Sequence, residues 1–223
     1  MTFELPDTGA DNCVFCSIID GDSEASWEAR PTGNARVACF QNRLKWARVM
    51  LLVVPTEHIS QQELWSSEVI LEAAKLAVEM GEKHCADEGF RLISNFGLQA
   101  HQSQSHGHIH VISGTSRLIQ NAVFKTQMGR SGGKYGCVTA EYEVEDTPFA
   151  VQISPEHQIS QREMWSTAQM HDSALVAIGT AFAHSPNGFR LMSSFEPAVD
   201  SRQAAENDAS LFLLGGGQLG LYV

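Results

Sequence analysis

Three histidines stand on every second residue of one short stretch, "SHGHIHVIS" at 105–113. Alternate residues of a strand share a face and lie about 6.5 Å apart, so His106, His108 and His110 should point the same way. A neutral imidazole can act as a nucleophile, as the partner that orients a nucleophile, or as a metal ligand. The row therefore predicts a reaction centre, and a histidine-rich strand without chemistry is the alternative.

Two cysteines form a second candidate group. Cys13 and Cys16 make a C-x-x-C pair, which by itself is compatible with a redox pair, a metal site or two buried residues. The other three cysteines of the chain, Cys39, Cys85 and Cys137, are scattered, and we interpret them as small core residues. Because no secretory signal precedes them, thiols or metal are favoured over disulfides.

The chain repeats itself. "ISQQELWS" at 59–66 returns as "ISQREMWS" at 159–166, and "GFRLISNF" at 89–96 returns as "GFRLMSSF" at 188–195, with six of eight positions identical in each pair. Two repeats in the same order and at nearly the same spacing indicate a tandem duplication.

Both halves have the same predicted elements. A strand that ends at a proline is followed by Ser-x-x-Glu, Ser60 with Glu63 and Ser160 with Glu163, which is the form of a capping box that begins a helix. A long amphipathic helix and two further strands follow. The predicted fold class is α+β, with two units of antiparallel sheet plus helix in one chain.

The domain prediction follows from the repeat and from one stretch rich in Gly and Ser. We predict a first domain at 1–127, a linker at 128–136 and a second domain at 137–223.

The second half keeps the scaffold and loses the histidines. The alignment places Asp208, Ser210 and Phe212 opposite the three histidines of the first half. Trp65 and Trp165 occur in both halves, and we interpret them as packing residues. Residues present only in the first half are the candidates for chemistry.

Bulk composition excludes some classes of partner. The formal net charge of −11 argues against binding to nucleic acid or to an anionic membrane surface, because repulsion outweighs attraction to phosphate chains. No apolar run is long enough to cross a membrane. The first residues lack the pattern of a signal peptide, so a cytoplasmic location is expected.

Four blocks of the first half resemble the motifs of a known family. "QSQSHGHIHVISG" resembles the signature of the histidine triad (HIT) superfamily, and "CVFCSIIDGD", "VVPTEHISQ" and "RLISNFG" resemble the matching blocks of its nucleotide-binding branch. The blocks fall in the family's order over residues 12–114. The second half resembles the same fold weakly, through its similarity to the first.

The resemblance implies a nucleotidyl-transfer reaction. His108 would attack the α-phosphorus of a nucleoside phosphoramidate or phosphoanhydride, and water would then release the nucleoside monophosphate from the nucleotidyl-histidine. His110 would help to hold the phosphate, and Ser103 would contact it and assist the leaving group. The implied ligand is a purine nucleotide or a nucleotide conjugate.

The resemblance also implies residues around the nucleotide. Asn95 and Gln102 match polar positions of the family near the nucleotide. Asn42 stands where the family tends to have an acidic residue at the ribose, and His101 stands where it usually has glycine.

The resemblance also implies a zinc site, because several bacterial members of the family that carry this cysteine pair bind zinc. Cys13 and Cys16 with His58 and His106 complete a Cys2His2 set, which suits a closed tetrahedral and hence structural zinc.

Three functional hypotheses follow. The first is a nucleotide phosphoramidase or hydrolase that uses His108, and the second is a non-catalytic nucleotide sensor or interaction module. The third is a structural metal-binding protein in which all three triad histidines serve the metal. HIT proteins usually form homodimers, and a tandem duplication can form the same pseudo-twofold arrangement within one chain. We therefore expect a monomer that imitates the family dimer, with a homo-oligomer as the alternative.

Overall fold

A computed structural model of the chain describes residues 5–131, 134–185, 187–197 and 209–216. Within these residues, antiparallel strands and helices form one mixed fold. The ten strands are β1 (Trp27–Ala29), β2 (Val37–Gln41), β3 (Met50–Pro55), β4 (Phe90–Phe96), β5 (Ile109–Ser113), β6 (Val123–Ser131), β7 (Cys137–Val144), β8 (Thr147–Pro155), β9 (Phe189–Phe195) and β10 (Leu211–Gly215). The six α-helices are α1 (Val14–Ile19), α2 (Gln61–Ser66), α3 (Val69–Cys85), α4 (Arg117–Gln120), α5 (Gln161–Ser166) and α6 (Gln169–His184).

The ten strands form a single sheet in the order β1-β2-β3-β5-β4-β9-β10-β8-β7-β6. Read from either edge inwards, five strands follow the same order, and the two groups meet where β4 pairs with β9. Phe90 pairs with Phe195 and Phe96 with Phe189, and both ring pairs stack with centroids 4.4 and 4.3 Å apart. The junction is therefore a continuous, well-packed part of the sheet.

Four helices cover one face of this sheet. The apolar sides of α3 and α6 pack on it, and Trp65 and Trp165 lie edge to face between the two groups with centroids 6.1 Å apart. Ser60 and Glu63 form the predicted capping box at α2, and Ser160 accepts the matching hydrogen bond at α5. None of the helices in the described ranges is both long and apolar enough to span a membrane.

The boundary between the two groups of strands lies earlier than the sequence indicated. Residues 123–127 were assigned to the first domain and 128–136 to a linker, but 123–131 form β6, which pairs with β7. β6 is an edge strand exposed on nearly all its residues, so it has no hydrophobic alternation that would reveal it. Gly129 and Ser131 suggested a linker although they lie within a strand.

Candidate active site

The three histidines lie at and just before the start of β5. His106 bridges to Ser60 at the beginning of α2, His108 follows two residues later, and His110 lies within the strand. Gly107 passes so close to α2 that a Cβ atom there would lie 2.8 Å from the Ser60 carbonyl oxygen. This close approach is the physical reason for a glycine inside the histidine row.

The main chain of His108 is held by buried side chains. Gln61 Nε2 donates to the His108 carbonyl at 3.0 Å, and the His108 amide donates to Gln61 Oε1 at 2.8 Å. Ser94 Oγ donates to the same carbonyl at 2.9 Å and accepts from Trp65 Nε1 at 3.1 Å. These bonds fix the backbone from which the imidazole projects.

The His108 ring is held in one tautomer. Its Nδ1 lies 2.9 Å from the main-chain oxygen of His106, which can only accept, so Nδ1 carries the proton and Nε2 the lone pair. Burial lowers the pKa of His108, although the hydrogen bond to His106 opposes the shift. The ring is therefore neutral near pH 7 and has a nucleophilic nitrogen on the side away from its own main chain.

His108 and His110 line a cleft with a volume of about 900 Å³. We call it the triad cleft, and its walls include Phe15, Phe40, Leu52, Ser103, His108 and His110. Only 3 % of His108 is exposed, because Phe15 packs against its ring with centroids 5.3 Å apart. The cleft joins an apolar wall to a polar end at the two histidines.

Three cations also line the triad cleft: Arg30, Arg43 and Lys45. Arg30 lies 4.8 Å above the Trp27 ring, and Lys45 Nζ donates to Gln41 Oε1 at 3.1 Å. Within the described part of the chain none of the three forms an ion pair with a carboxylate. Although the whole chain is acidic, the cleft can accept an anion.

The structure brings only some of the predicted nucleotide contacts to the cleft. Ser103 and Asn42 line it. Gln102 is buried, and its amide is occupied by two main-chain groups of its own loop, at 2.8 Å each. His101 lines a separate cavity beside the turn between β7 and β8. Asn95 is buried, and its side chain is engaged by an arginine of β9 at 2.8 Å.

The predicted metal ligands converge. The ligand atoms of Cys13, Cys16, His58 and His106 all lie within 4.8 Å of one another. His106 Nδ1 lies 3.4 Å from Cys13 Sγ and 3.5 Å from Cys16 Sγ, and His58 Nδ1 lies 3.2 Å from Cys16 Sγ. Tetrahedral zinc with usual bond lengths would place sulfur and nitrogen ligands about 3.6 Å apart. These four residues could therefore hold a zinc ion, whereas His108 and His110 are not part of the cluster.

Both histidines of the cluster have a partner on their outer nitrogen. His106 Nε2 lies 3.1 Å from the Pro55 carbonyl oxygen, and His58 Nε2 lies 2.9 Å from Asp7 Oδ1. Such outer bonds orient imidazoles that bind metals. The arrangement leaves both Nδ1 atoms directed at the cysteines.

Burial favours the uncharged forms of the cluster. It lowers the pKa of His106 to about 4 and raises the pKa of the Cys16 thiol to about 12. The imidazole is thus neutral and able to coordinate, while the thiolate form of Cys16 requires a nearby cation.

The second group of strands repeats the hydrogen bonds without the histidines. Gln161 Nε2 donates to the Ser210 carbonyl at 2.8 Å, and the Ser210 amide donates to Gln161 Oε1 at 2.7 Å. Ser193 Oγ donates to the same carbonyl at 2.6 Å. Ser210 therefore occupies the position that His108 has in the first group. Asp208, aligned with the first triad histidine, lies outside the described residues.

Sequence reasoning missed residues that hold the main chain of the triad or lie beside it. Gln61 was not singled out, although its presence in both copies of the repeated octapeptide was a signal. Ser94 and Arg190 were also missed. Both belong to the repeated segments that begin "GFRL". No feature of the neighbouring sequence distinguishes an arginine that binds a residue of the other group of strands from one that does not.

Comparison with known proteins defines the class. The HIT domain model matches residues 34–117, which include β2 to β5 and the three histidines. A HIT-like protein of Chlamydia pneumoniae is 33% identical over 106 residues, covering 45% of this chain and 92% of that protein. The chain therefore belongs to the HIT family.

Two further proteins extend the comparison. The adenosine 5'-monophosphoramidase of Schizosaccharomyces pombe is 28% identical over 101 residues, covering 45% of this chain and 73% of that protein. The structure of an ADP-glucose phosphorylase from Arabidopsis thaliana with bound ADP-glucose covers 97% of this chain and 82% of its own, with a TM-score of 0.61. At 11% identity this second match shows the fold alone, and it does so for both groups of strands.

Proposed function

We propose that this protein cleaves a nucleotide conjugate at the α-phosphorus through a nucleotidyl intermediate on His108. The observation that carries the proposal is the hydrogen bond from His108 Nδ1 to the His106 carbonyl, at 2.9 Å, in a ring that lines the triad cleft. This bond leaves Nε2 unprotonated and directed away from the main chain. Relatives that process nucleotides, the monophosphoramidase among them, support the same reading.

The reaction consists of two displacements. His108 Nε2 attacks the α-phosphorus, a P–N bond to the ring forms, and the bond from phosphorus to the leaving group breaks. The leaving group departs with the bonding electrons and takes a proton from solvent, for which the Ser103 hydroxyl on the cleft wall is the proposed relay. Water then attacks phosphorus and returns a proton to solvent. The P–N bond breaks with its electrons going back to Nε2, which restores the neutral imidazole and releases the nucleoside monophosphate.

The cleft suits a nucleotide in shape and charge. Phe15 and Phe40 offer an apolar wall for a base, and Asn42 offers a polar group within the same cleft. His110 lies beside His108, with ring centroids 4.9 Å apart, where it can contact a phosphoryl oxygen. We do not place His101 or Gln102 against the nucleotide, because the first lines another cavity and the second shapes its own loop.

The cations of the cleft lead to a prediction about anionic substrates. Arg43→Gln should raise KM for a dinucleoside polyphosphate about three- to tenfold with little change in kcat, because an unpaired surface cation contributes to attraction of the anion. Steady-state kinetics at low and high salt would measure it. Arg36→Gln is the matched control, since Arg36 pairs with Glu72 outside the cleft. An equal KM for Arg43→Gln and the parent protein would rule out this role.

We also propose that Cys13, Cys16, His58 and His106 bind zinc. The convergent ligand atoms and the Cys2His2 donor set fit a tetrahedral ion. With four protein ligands no coordination position is open to water, so the ion would be structural. It would tie the segment that carries α1, and with it the Phe15 wall of the cleft, to the histidine strand.

The bond between Asp7 and His58 predicts a graded effect on the metal. Asp7→Asn should weaken zinc binding about 10- to 100-fold without abolishing it, since the carboxylate supports the ligand from outside the site. Competition with a zinc indicator would measure the affinity in the absence of any substrate. Asp11→Asn, in the same segment, is the control. Unchanged affinity in Asp7→Asn would show that the carboxylate does not support the ligand.

We further propose that the two groups of strands arose by duplication and form a pseudo-twofold pair within one chain. The repeated strand order, the stacked phenylalanines at the β4–β9 junction and the matching bonds around Ser210 support this. The second unit would then be a silent partner that completes the sheet. Light scattering should show a monomer; an obligate dimer formed through β4 or β9 would contradict the proposal.

One comparison separates the remaining alternatives for the reaction. Adenosine phosphoramidate and a diadenosine polyphosphate should be assayed in parallel, with nucleotide binding measured by calorimetry. Release of AMP from either substrate supports the enzyme and identifies the leaving group. Tight binding without turnover of both would favour the non-catalytic sensor instead.

A further inference from the structure

Arg190 is a buried arginine that the second unit contributes to the face of the sheet that carries the triad. It lies on β9 directly opposite Asn95 of β4, and 1 % of it is exposed. Its Nε donates to Asn95 Oδ1 at 2.8 Å, across 95 residues of sequence. Burying a guanidinium is costly, so its presence here calls for a reason beyond packing.

The position of Arg190 relative to the triad follows from the strand register. Ile93 of β4 pairs both with His110 of β5 and with Met192 of β9. Asn95 and Arg190 lie two residues further along the same face. The guanidinium therefore lies on the same face of the sheet as the triad, beyond β4 and on the side away from the cleft wall formed by Phe15 and Phe40.

Few charges act on His110 from its surroundings. His108, just before the start of β5, and Arg190 on β9 are the titratable or charged groups that influence it among the described residues. The flanking strands present Leu52 and Ile93 to it. Burial, then His108, then Arg190 hold the pKa of His110 well below its ordinary range.

The matching arginine of the first unit behaves differently. Arg91 has the same place in the repeated segment, but its Nη1 donates to the carbonyl oxygens of Gly114 and Thr115 at 2.9 and 3.3 Å. It lies opposite Ser194, at the other end of the β4–β9 pair. The side chain of one repeated arginine thus binds the main chain of a loop, whereas the side chain of the other binds a polar residue beside the triad.

We propose that Arg190 is a positioning residue for the triad, through which the second unit supports nucleotidyl transfer at His108. This proposal rests on the proposed function. Arg190 holds Asn95 in place and supplies a fixed positive charge beside the histidines, on the same face of the sheet. Such a charge favours the negative charge that builds up on the phosphoryl oxygens in the transition state, and it needs no reorganisation because the side chain is already fixed.

The test compares Arg190→Met and Arg190→Lys with Arg91→Met as the matched buried-arginine control. Two quantities are measured: the NMR titration of the His110 ring without substrate, and the single-turnover rate of nucleotidyl transfer. Arg190→Met should raise the pKa of His110 and slow transfer about 10- to 100-fold with KM changed less than about threefold. Arg190→Lys should recover most of both effects. Arg91→Met should leave both close to the parent protein at a similar loss of melting temperature.

A milder variant guards against failure of Arg190→Met to fold. Asn95→Ser introduces the residue that β9 itself has at Ser194, removes the amide oxygen that Arg190 engages, and should slow transfer in the same direction. An unchanged rate in Arg190→Met, or equal slowing in Arg91→Met, would overturn the proposal. A parent protein that transfers no nucleotide at all would overturn the proposed function, and the role of Arg190 in transfer with it, even where the His110 titration moves.

Discussion

Replacement of His108 by asparagine is expected to lower the rate of nucleotidyl transfer by at least about 10⁴-fold. The amide of asparagine cannot attack phosphorus, and Phe15, Ser103 and His110 would still form the cleft around it. The measurement is AMP release under saturating substrate, followed over hours to detect residual turnover. Nucleotide affinity should change much less than the rate, because the nucleophile is one of many groups that line the cleft.

Two controls make this result specific. His171→Asn alters a half-buried histidine on α6, far from the cleft, whose Nε2 lies 3.3 Å from the Ser66 carbonyl oxygen, and should leave the rate unchanged. His108→Asn should keep the melting temperature of the parent protein, since Gln61 binds the main chain of this residue and not its ring. A His108→Asn protein that retains turnover within about tenfold would remove the imidazole from the chemistry.

Replacement of Cys16 by serine is expected to release the metal and to destabilise the protein. The parent chain should contain about one zinc ion, and the variant much less. Loss of a structural metal is among the few changes that lower the free energy of unfolding by more than about 4 kcal/mol. For a chain of this size, that loss corresponds to a fall in melting temperature of about 8–16 °C. Metal analysis and calorimetry on the same preparations would measure both.

The chain offers matched controls for the metal. Cys137→Ser changes a buried cysteine of β7, outside the cluster, and should keep the zinc. His108→Asn should also keep it, because His108 is not among the four convergent residues. Zinc lost from His108→Asn would instead support a metal-binding protein in which the whole triad serves the ion. A parent protein that binds no zinc at any concentration would contradict the metal proposal altogether.

The local parts of the fold could be predicted from the sequence. The strands that end at Pro55 and Pro155 and the caps at Ser60 and Ser160 all form where the patterns indicated. Each feature depends on neighbours in sequence. A proline has no amide hydrogen to donate and so ends a strand, and a serine hydroxyl accepts from a free amide of the first helical turn. The alignment of the two halves also predicted that Ser210 would replace His108, and the matching hydrogen bonds of Gln61 and Gln161 to these two residues agree with it.

Contacts between distant residues could not be predicted from the sequence. The side chain of Asn95 accepts a hydrogen bond from an arginine 95 residues away, a contact set by the register of β4 against β9. No local pattern encodes that register. His101 follows the same logic, since it adopts a left-handed conformation with a φ of 59° and lines a cavity that includes residues of the second unit.

Mass-spectrometric mapping of a reaction mixture that is quenched rapidly in alkali, where a P–N bond to imidazole survives, would test the central claim most directly. After a short reaction with adenosine phosphoramidate or a diadenosine polyphosphate, we expect an adenylyl group on the imidazole of His108 and on no other residue of the chain. Turnover with the adenylyl group on a different side chain, or with none captured at any time before product appears, would contradict a covalent intermediate at this nitrogen.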